Sequence, residues 1–278
     1  MESCVAKYYR SIRRLGFRHH LYDFQVWCIS KLFPPPPKGA FPPVWLASRK
    51  PPYNLLARGG KLTPESLLLA YSNGIFPFCE KNPVDWYSCN PRMILFLEKM
   101  KLKKGLRPLL KSGNYRITFD TAYEKVVLGC SERQWTWLIP ERIKVAVALH
   151  EKGHAHSVEA WNREGKLVGG VMGVAVGNVF VMESCFHRES NVGKLAIASL
   201  NCHLQHWGYR VSDIGGSQSH FRRFGYEEIS RRRYLQILRE ARAERPPGKW
   251  SVDERLDVGN WIPAQPGSQL HSESTRTV

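Results

Sequence analysis

The chain has 278 residues, 43% of them hydrophobic and 23% charged, which fits one large or two modest globular domains and excludes a disordered chain. Basic residues number 41 against 24 acidic ones, and the formal charge of +17 calls for an anionic partner such as nucleic acid, acidic lipid or acidic protein. No apolar run reaches the ~18 residues of a membrane span, which excludes a spanning helix.

Residues 1–40 carry seven basic residues against Glu2 and Asp23, and they close on the proline run 34–37. This reads as a basic extension with a stiff boundary. A targeting segment is the other reading, but the stretch is poor in serine and lacks a long apolar core. Thr63 predicts an N-cap with Pro64 at the first helical position and Gly74 as the stop. Tyr115–Phe119 reads as a strand and 121–130 as a helix. Ile143, Val147 and His150 share one face of a helix that Gly153 ends. Strands 156–161 and Leu167–Val176 form a hairpin around 162–166, and 178–184 is a third strand. Ile197, Leu200, Leu204 and Trp207 predict an amphipathic helix. Residues 209–213 return as a strand, and Tyr234, Leu235 and Leu238 mark a last basic helix. From Pro246 the composition is that of a flexible tail. The order predicts a mixed α+β fold rather than a regular doubly wound sheet.

Seven cysteines with no CxxC spacing read as reduced thiols in a cytoplasmic protein, not as a zinc knuckle or disulfide framework. Gly169, Gly170, Gly173 and Gly177 resemble a nucleotide fingerprint, but strand residues follow them where a helix N-terminus is required. Glycines in paired strands are the better reading. His150, His154 and His156 could form a metal cluster; capping or core hydrogen bonding fits better, because Gly153 breaks the helix and no typical zinc spacing follows. Trp86, Tyr87, Trp135 and Trp137 lie near Arg92 and Arg133. Lys99, Lys101, Lys103 and Lys104 form one basic group, and Arg222 and Arg223 belong to another. Flat faces and cations together suit RNA. Glu183 and Asp213 stand at strand ends, where carboxylates serve as acid–base groups or as salt bridges.

Read in order, the segments LLARGGKLTPESLLLAYSNGIFPF (55–78), DWYSCNPR (85–92), LHEKGHAHSVEAW (149–161), LVGGVMGVAVGNVF (167–180) and ESCFHRESNVGK (183–194) resemble the leucyl/phenylalanyl-tRNA–protein transferase family. So do TWL at 136–138 and Asp213 with His220, Phe224 and Gly225. The resemblance implies a small N-terminal domain over 41–95 and an acetyltransferase-like (Fem/GNAT-type) domain with a mixed sheet over 96–245; the basic extension over 1–40 and the flexible tail over 246–278 are not covered by it. It implies transfer of Leu or Phe from charged tRNA to the N-terminal amine of proteins starting with Arg or Lys, which feeds N-terminus-dependent degradation. No cofactor or metal is implied, and the expected partners are aminoacyl-tRNA and the acceptor protein, with no membrane and a monomeric chain. By the same resemblance Glu183 and Asp213 are catalytic, Trp86 and Trp137 hold the terminal adenosine, and Val171, Phe180 and Cys185 surround the amino-acid side chain. Arg92 and the basic groups would meet RNA. Gly215 stands where the family has the glutamine of an Asp-x-Gln motif, and the intact spacing to His220 keeps Gln218 from replacing it. That departure leaves open altered amino-acid or acceptor specificity, or a weakly catalytic relative that binds tRNA or protein N-termini. An acetyl-CoA enzyme is disfavoured, because 188–193 lacks the glycine pair that cradles a pyrophosphate.

Overall fold

The computed structural model describes residues 26–36, 40–47, 54–78, 83–134, 136–244 and 250–261. Most of the basic extension, Trp135 and the last 17 residues of the expected tail lie outside these ranges.

Strands β1 (Leu55–Arg58), β2 (Phe76–Phe78) and β3 (Asp85–Tyr87) make a small antiparallel sheet in the order β1-β3-β2. Helix α1 (Pro64–Ser72) lies between β1 and β2. It begins in a reciprocal cap: Ser66 N–H donates to Thr63 Oγ1 (3.1 Å), and Thr63 N–H donates to Ser66 Oγ (2.9 Å).

The large sheet has seven strands in the order β10-β4-β9-β8-β7-β6-β5. They are β4 (Arg92–Phe96), β5 (Tyr115–Phe119), β6 (Ala155–Asn162), β7 (Leu167–Val176), β8 (Val179–His187), β9 (Val211–Asp213) and β10 (Glu227–Ile229). All neighbours are antiparallel except β8 and β9. The fold is therefore α+β with a mixed sheet, as the element order predicted. β4 begins at Arg92, so the large sheet starts ahead of the expected boundary at 95–96.

Side chains alternate across β8. Val179 and Val181 enter a core shared with α1, α3 (Tyr123–Ser131), α4 (Pro140–Glu151) and α6 (Arg231–Ala241). Phe180 and Met182 enter the opposite core, under α5 (Val192–His206). The short α2 (Arg107–Lys111) flanks α5, with Leu109 and Leu110 packed beside Val192 and Leu195. The amphipathic helix predicted from Ile197, Leu200 and Leu204 is in fact buried along nearly its whole length. Residues 250–261 help cover it. Trp250 packs on Phe180 (5.3 Å) and Trp207 (5.1 Å), and Arg107 donates to the carbonyls of Gly259 (2.9 Å) and Trp261 (3.1 Å). This part of the expected tail is a docked strap, because two tryptophans give it apolar area to bury.

The glycine run sits inside β7, not in a phosphate-binding turn. A Cβ on Gly173 would stand 2.4 Å from Val181 O and 2.5 Å from the Phe180 ring, so only glycine admits this approach of β8 at the register shift. Among the described residues no helix is long and apolar enough to cross a membrane. Gly173→Ala is expected to cost about 1–3 kcal/mol of stability through overpacking. Urea unfolding would show this as a lower midpoint at constant slope.

Candidate active site

β8 and β9 pair in parallel from Val179 with Val211 to Val181 with Asp213, and then they part. β8 continues beside β7 as far as His187. The chain after Asp213 turns instead toward β4, where Ile214 N–H donates to Met93 O (3.1 Å) and Met93 N–H donates to Gly215 O (2.8 Å). Parallel neighbours that separate at their carboxyl ends leave a crevice, and crevices of this kind bind ligands in open sheets. Here it holds a cavity of about 310 Å³. Met182 and Glu183 come to it from β8, Gly215 and Gln218 from the loop after β9, and Phe76, Phe78 and Tyr87 from the small sheet. Trp137 completes an aromatic wall. Phe76 stacks on Tyr87 at 5.9 Å, which keeps that wall in place.

Glu183 extends from β8 just past its last pair with β9, and its side chain is only 2% exposed. One oxygen, Oε1, accepts from Tyr71 Oη on α1 and from Arg142 Nη2 on α4. The other, Oε2, is buried and has no hydrogen-bond partner among the described residues. Arg142 also lies 5.3 Å from the Trp137 ring, so one guanidinium orients both the carboxylate and the aromatic wall. Burial first, and the Glu183 charge second, push the Tyr71 phenol well above its ordinary pKa. Tyr71 is therefore a protonated donor at any physiological pH.

Asp213 is fully buried and is not part of the cavity lining. Its carboxylate accepts from Arg92 Nη2 (2.6 Å) and Nε (2.9 Å), from Tyr234 Oη (2.5 Å) and from Gly215 N–H (2.8 Å). The residue expected to be catalytic thus does not line the cavity itself but bonds to Arg92 and Gly215, which do. With its oxygens occupied, it positions Arg92 and the Gly215 loop. Arg92, expected on an RNA-facing surface, is 1% exposed and lines the cavity. Its Nη1 is buried without a hydrogen-bond partner among the described residues.

Trp86 is also corrected. It is fully buried in the core of the small sheet, donates from Nε1 to Gly59 O (2.9 Å) and meets Phe41 edge-on at 4.7 Å. No face is left for a base. Its strand neighbour Tyr87 points the other way, into the cavity. Trp137 does line the cavity. Val171 and Phe180 sit in the α5-side core with Cys185 packed against it, and none of the three lines the cavity. Cys185 O accepts from Arg133.

Gly215 lines the cavity with φ of +77°, and a Cβ there would meet nothing within 4 Å. Gln218, set aside on spacing, lines it too, because the loop folds back until Gln218 N–H contacts Met93 Sδ (3.1 Å). Phe78, Cys89 and Gln218 were not singled out for the site by sequence reasoning, although the first two lie within the segments that carried the resemblance; Tyr87 entered only as one of the aromatic residues suited to RNA. Burial pushes the Cys89 thiol up to about 11 despite the opposing Arg92 charge, so it packs as a neutral group.

The basic residues fall in two classes. Lys99 pairs with Glu227 (3.1 Å) and Arg222 with Glu228 (2.6 Å). Lys101, Lys103, Lys104 and Arg223 are exposed, with no carboxylate partner among the described residues. Lys101 N–H donates to Phe224 O (2.9 Å), which sets the 99–104 stretch beside the turn Ser219–Phe224. Of the three histidines, His150 and His156 gather with Asp120, their ligand-type atoms within 4.8 Å of one another. Existing contacts engage the group: His156 Nδ1 with Asp120 Oδ2 (2.7 Å), Ser157 N–H with Asp120 Oδ1 (2.7 Å) and His150 Nδ1 with Ala155 O (2.7 Å). His156 stacks on Trp250 at 4.0 Å. That is the core-bonding role.

Residues 94–239 match the family described as Leucyl/phenylalanyl-tRNA protein transferase, and residues 60–90 match its N-terminal domain. The chain belongs to this family. It is an aminoacyltransferase. A leucyl/phenylalanyl-tRNA–protein transferase of Syntrophobacter fumaroxidans is 42% identical over 206 residues, which is 72% of this chain and 86% of that protein. The protein of the same name from Myxococcus xanthus is 38% identical over 236 residues, 82% of this chain and 95% of that one. A GCN5-related N-acetyltransferase from Kribbella flavida matches in structure with a TM-score of 0.34 and 13% identity, over 58% of this chain and 59% of that one. A likeness at that level carries no functional argument.

Removing one partner of a buried ion pair leaves the other charge uncompensated. Asp213→Ala should therefore cost about 3–5 kcal/mol, well beyond an exposed control such as Glu227→Ala, as read by chemical denaturation.

Proposed function

We propose that this transferase moves Leu or Phe from the 3′ end of a charged tRNA onto the N-terminal amine of a protein beginning with Arg or Lys, and so marks that protein for N-terminus-dependent degradation. The observation that carries this reading is the Glu183 carboxylate, anchored through Oε1 and left with a buried Oε2 that has no partner among the described residues, beside an aromatic-walled cavity.

The aminoacyl ester is already activated, so the protein must align two substrates and manage one proton. The incoming ammonium loses a proton, its nitrogen attacks the ester carbonyl carbon, and the carbon–oxygen bond to the ribose breaks. The first proton goes to solvent; the nitrogen sheds a second as the amide forms, and the ribose oxygen leaves with it. Glu183 Oε2 is the acceptor that can orient the amine. Arg92 Nη1 is a donor that can serve the carbonyl oxygen as charge develops there. Trp137, Tyr87 and Phe78 offer flat faces to the terminal nucleoside. Gln218 supplies the side-chain amide that Gly215 lacks. Lys101, Lys103, Lys104 and Arg223 form the phosphate-facing surface.

The test is single-turnover transfer of leucine to an Arg-initiated peptide, followed by mass spectrometry. Glu183→Gln is expected to slow transfer by about 10²-fold or more at matched folded fraction. Gln218→Ala should slow it as well. Gly215→Gln should bring no gain and cost about 1 kcal/mol of stability, because a side chain must adopt the left-handed backbone. No transfer by the parent, with tRNA binding intact, would overturn the catalytic reading. Trp137→Ala should weaken use of an aminoacyl-adenosine mimic by ~1–3 kcal/mol, measured as a loss in kcat/KM, whereas Trp86 substitutions should act on stability.

A further inference from the structure

A second cleft, of about 570 Å³, lies between the segment 26–36 and the β1 end of the small sheet. Two hydrogen bonds fix its walls: Arg58 N–H donates to Ser30 Oγ (2.8 Å), and Lys61 N–H donates to Pro36 O (2.9 Å). On the inner side, Val26 packs against Leu55, Phe78 and Tyr87. Phe78 and Tyr87 also face the active-site cavity, so the cleft backs onto the wall of that cavity.

Its open side has a different chemistry. Trp27 is 57% exposed, and Lys31 Nζ stands 5.7 Å from the centre of its ring. Lys61 is exposed on the opposite wall, and Pro34 and Pro35 add apolar surface. Arg58 contributes less charge, because Asp85 holds it in a two-point pair (2.6 and 3.1 Å). Among the described residues no acidic side chain lines the cleft. Two lysines beside an exposed indole, with no carboxylate, complement a phosphodiester strand with an unpaired base. The same charge would repel an acceptor peptide with a basic N-terminus. The family match begins only at residue 60, so the segment 26–36 lies ahead of it.

We propose that this cleft is a second RNA contact, with phosphates at Lys31 and Lys61 and a base against Trp27. It rests on the reading of tRNA as substrate. It is a place where the RNA is held away from the reacting ester.

Uncharged tRNA binding is measured across a salt series for the parent, for Lys31→Ala/Lys61→Ala and for Trp27→Ala, each checked by its unfolding midpoint. The double lysine variant should reduce the slope of log affinity against log salt by about 2. Trp27→Ala should weaken binding about 5- to 150-fold, and the double arginine variant Lys31→Arg/Lys61→Arg should restore the slope. Transfer from an aminoacyl-adenosine mimic, which does not extend beyond the active-site cavity, should stay at the parent level in all of them. If Trp27→Ala fails to fold, the lysine variants decide alone. Unchanged tRNA affinity and slope in the lysine variants overturn the proposal while leaving the substrate reading intact. A parent that binds no tRNA overturns both. Lost binding to phosphatidylglycerol vesicles with tRNA binding unchanged would assign the cleft to lipid instead and overturn the RNA contact.

Discussion

The buried pair of Arg92 and Asp213 is the interaction around which the site is assembled. Arg92 opens β4, Asp213 ends β9, Tyr234 comes from α6, and Gly215 begins the loop that frames the cavity. The Arg92 guanidinium also lies 4.5 Å from the Tyr234 ring and 5.6 Å from the Phe76 ring. One ion pair thus fixes the small sheet, the large sheet and a helix to one another at the point where β8 and β9 separate. A buried pair is a poor source of net stability, because desolvation offsets its attraction. Its effect here is geometric: each partner has few alternative positions that satisfy its charge. Arg231 repeats the device nearby, donating to the carbonyls of Val44 (3.0 Å), Ala47 (3.1 Å) and Ser88 (2.5 Å) and so tying α6 to the N-terminal part.

Against that rigid frame Glu183 is built unevenly. Both of its donors fall on Oε1, and Oε2 is left buried without a partner among the described residues. An unsatisfied buried oxygen costs free energy of about 1–3 kcal/mol, more when it is charged. Folds rarely keep such an atom without a use for it. An incoming amine would satisfy it, and the same cost then becomes a binding preference for a hydrogen-bond donor. Asp213 makes the contrast clear. Its carboxylate has every neighbour it needs, and it faces away from the cavity. Two carboxylates at strand ends looked alike in sequence; the structure gives them different surroundings, one lining the cavity and one not.

The long elements were legible because their periodicity is long. β6 to β8, α1 and α4 follow from alternation, the Thr63 cap and the helical spacing of Ile143, Val147 and His150, and β5 and β9 were read as strands although they span only five and three residues. β1, β2, β3, β4 and β10 are three to five residues each, too short for a period to show. They form because they pair. β3 shows what that costs a sequence reading. Trp86 and Tyr87 are adjacent, and a strand must send one to each face, but only the register with β1 and β2 decides which. The resemblance gave the site assignment to the tryptophan, and the register gave the cavity to tyrosine. α5 was misread for a related reason. Its apolar stripe was visible, but the strap that covers its remaining surface lies more than forty residues further on, where the composition looked loose.

Charge was the least local of the signals. The excess of +17 is a property of the whole chain and sets a field that draws anions. It does not choose the residues that touch them. Neighbouring carboxylates do that. Glu227 and Glu228 on β10 take up Lys99 and Arg222, while Lys101, Lys103, Lys104 and Arg223 beside them have no carboxylate partner among the described residues. Asp213 takes Arg92 out of the surface altogether and turns it into part of the cavity wall. The same logic separates Arg58, bound to Asp85, from Lys31 and Lys61 across the cleft. A basic residue is available to a phosphate only where the fold has placed no acid within reach, and that placement depends on strand pairing. The sequence could therefore point to an anionic partner while naming, in Arg92, a cation that the fold uses to hold itself together.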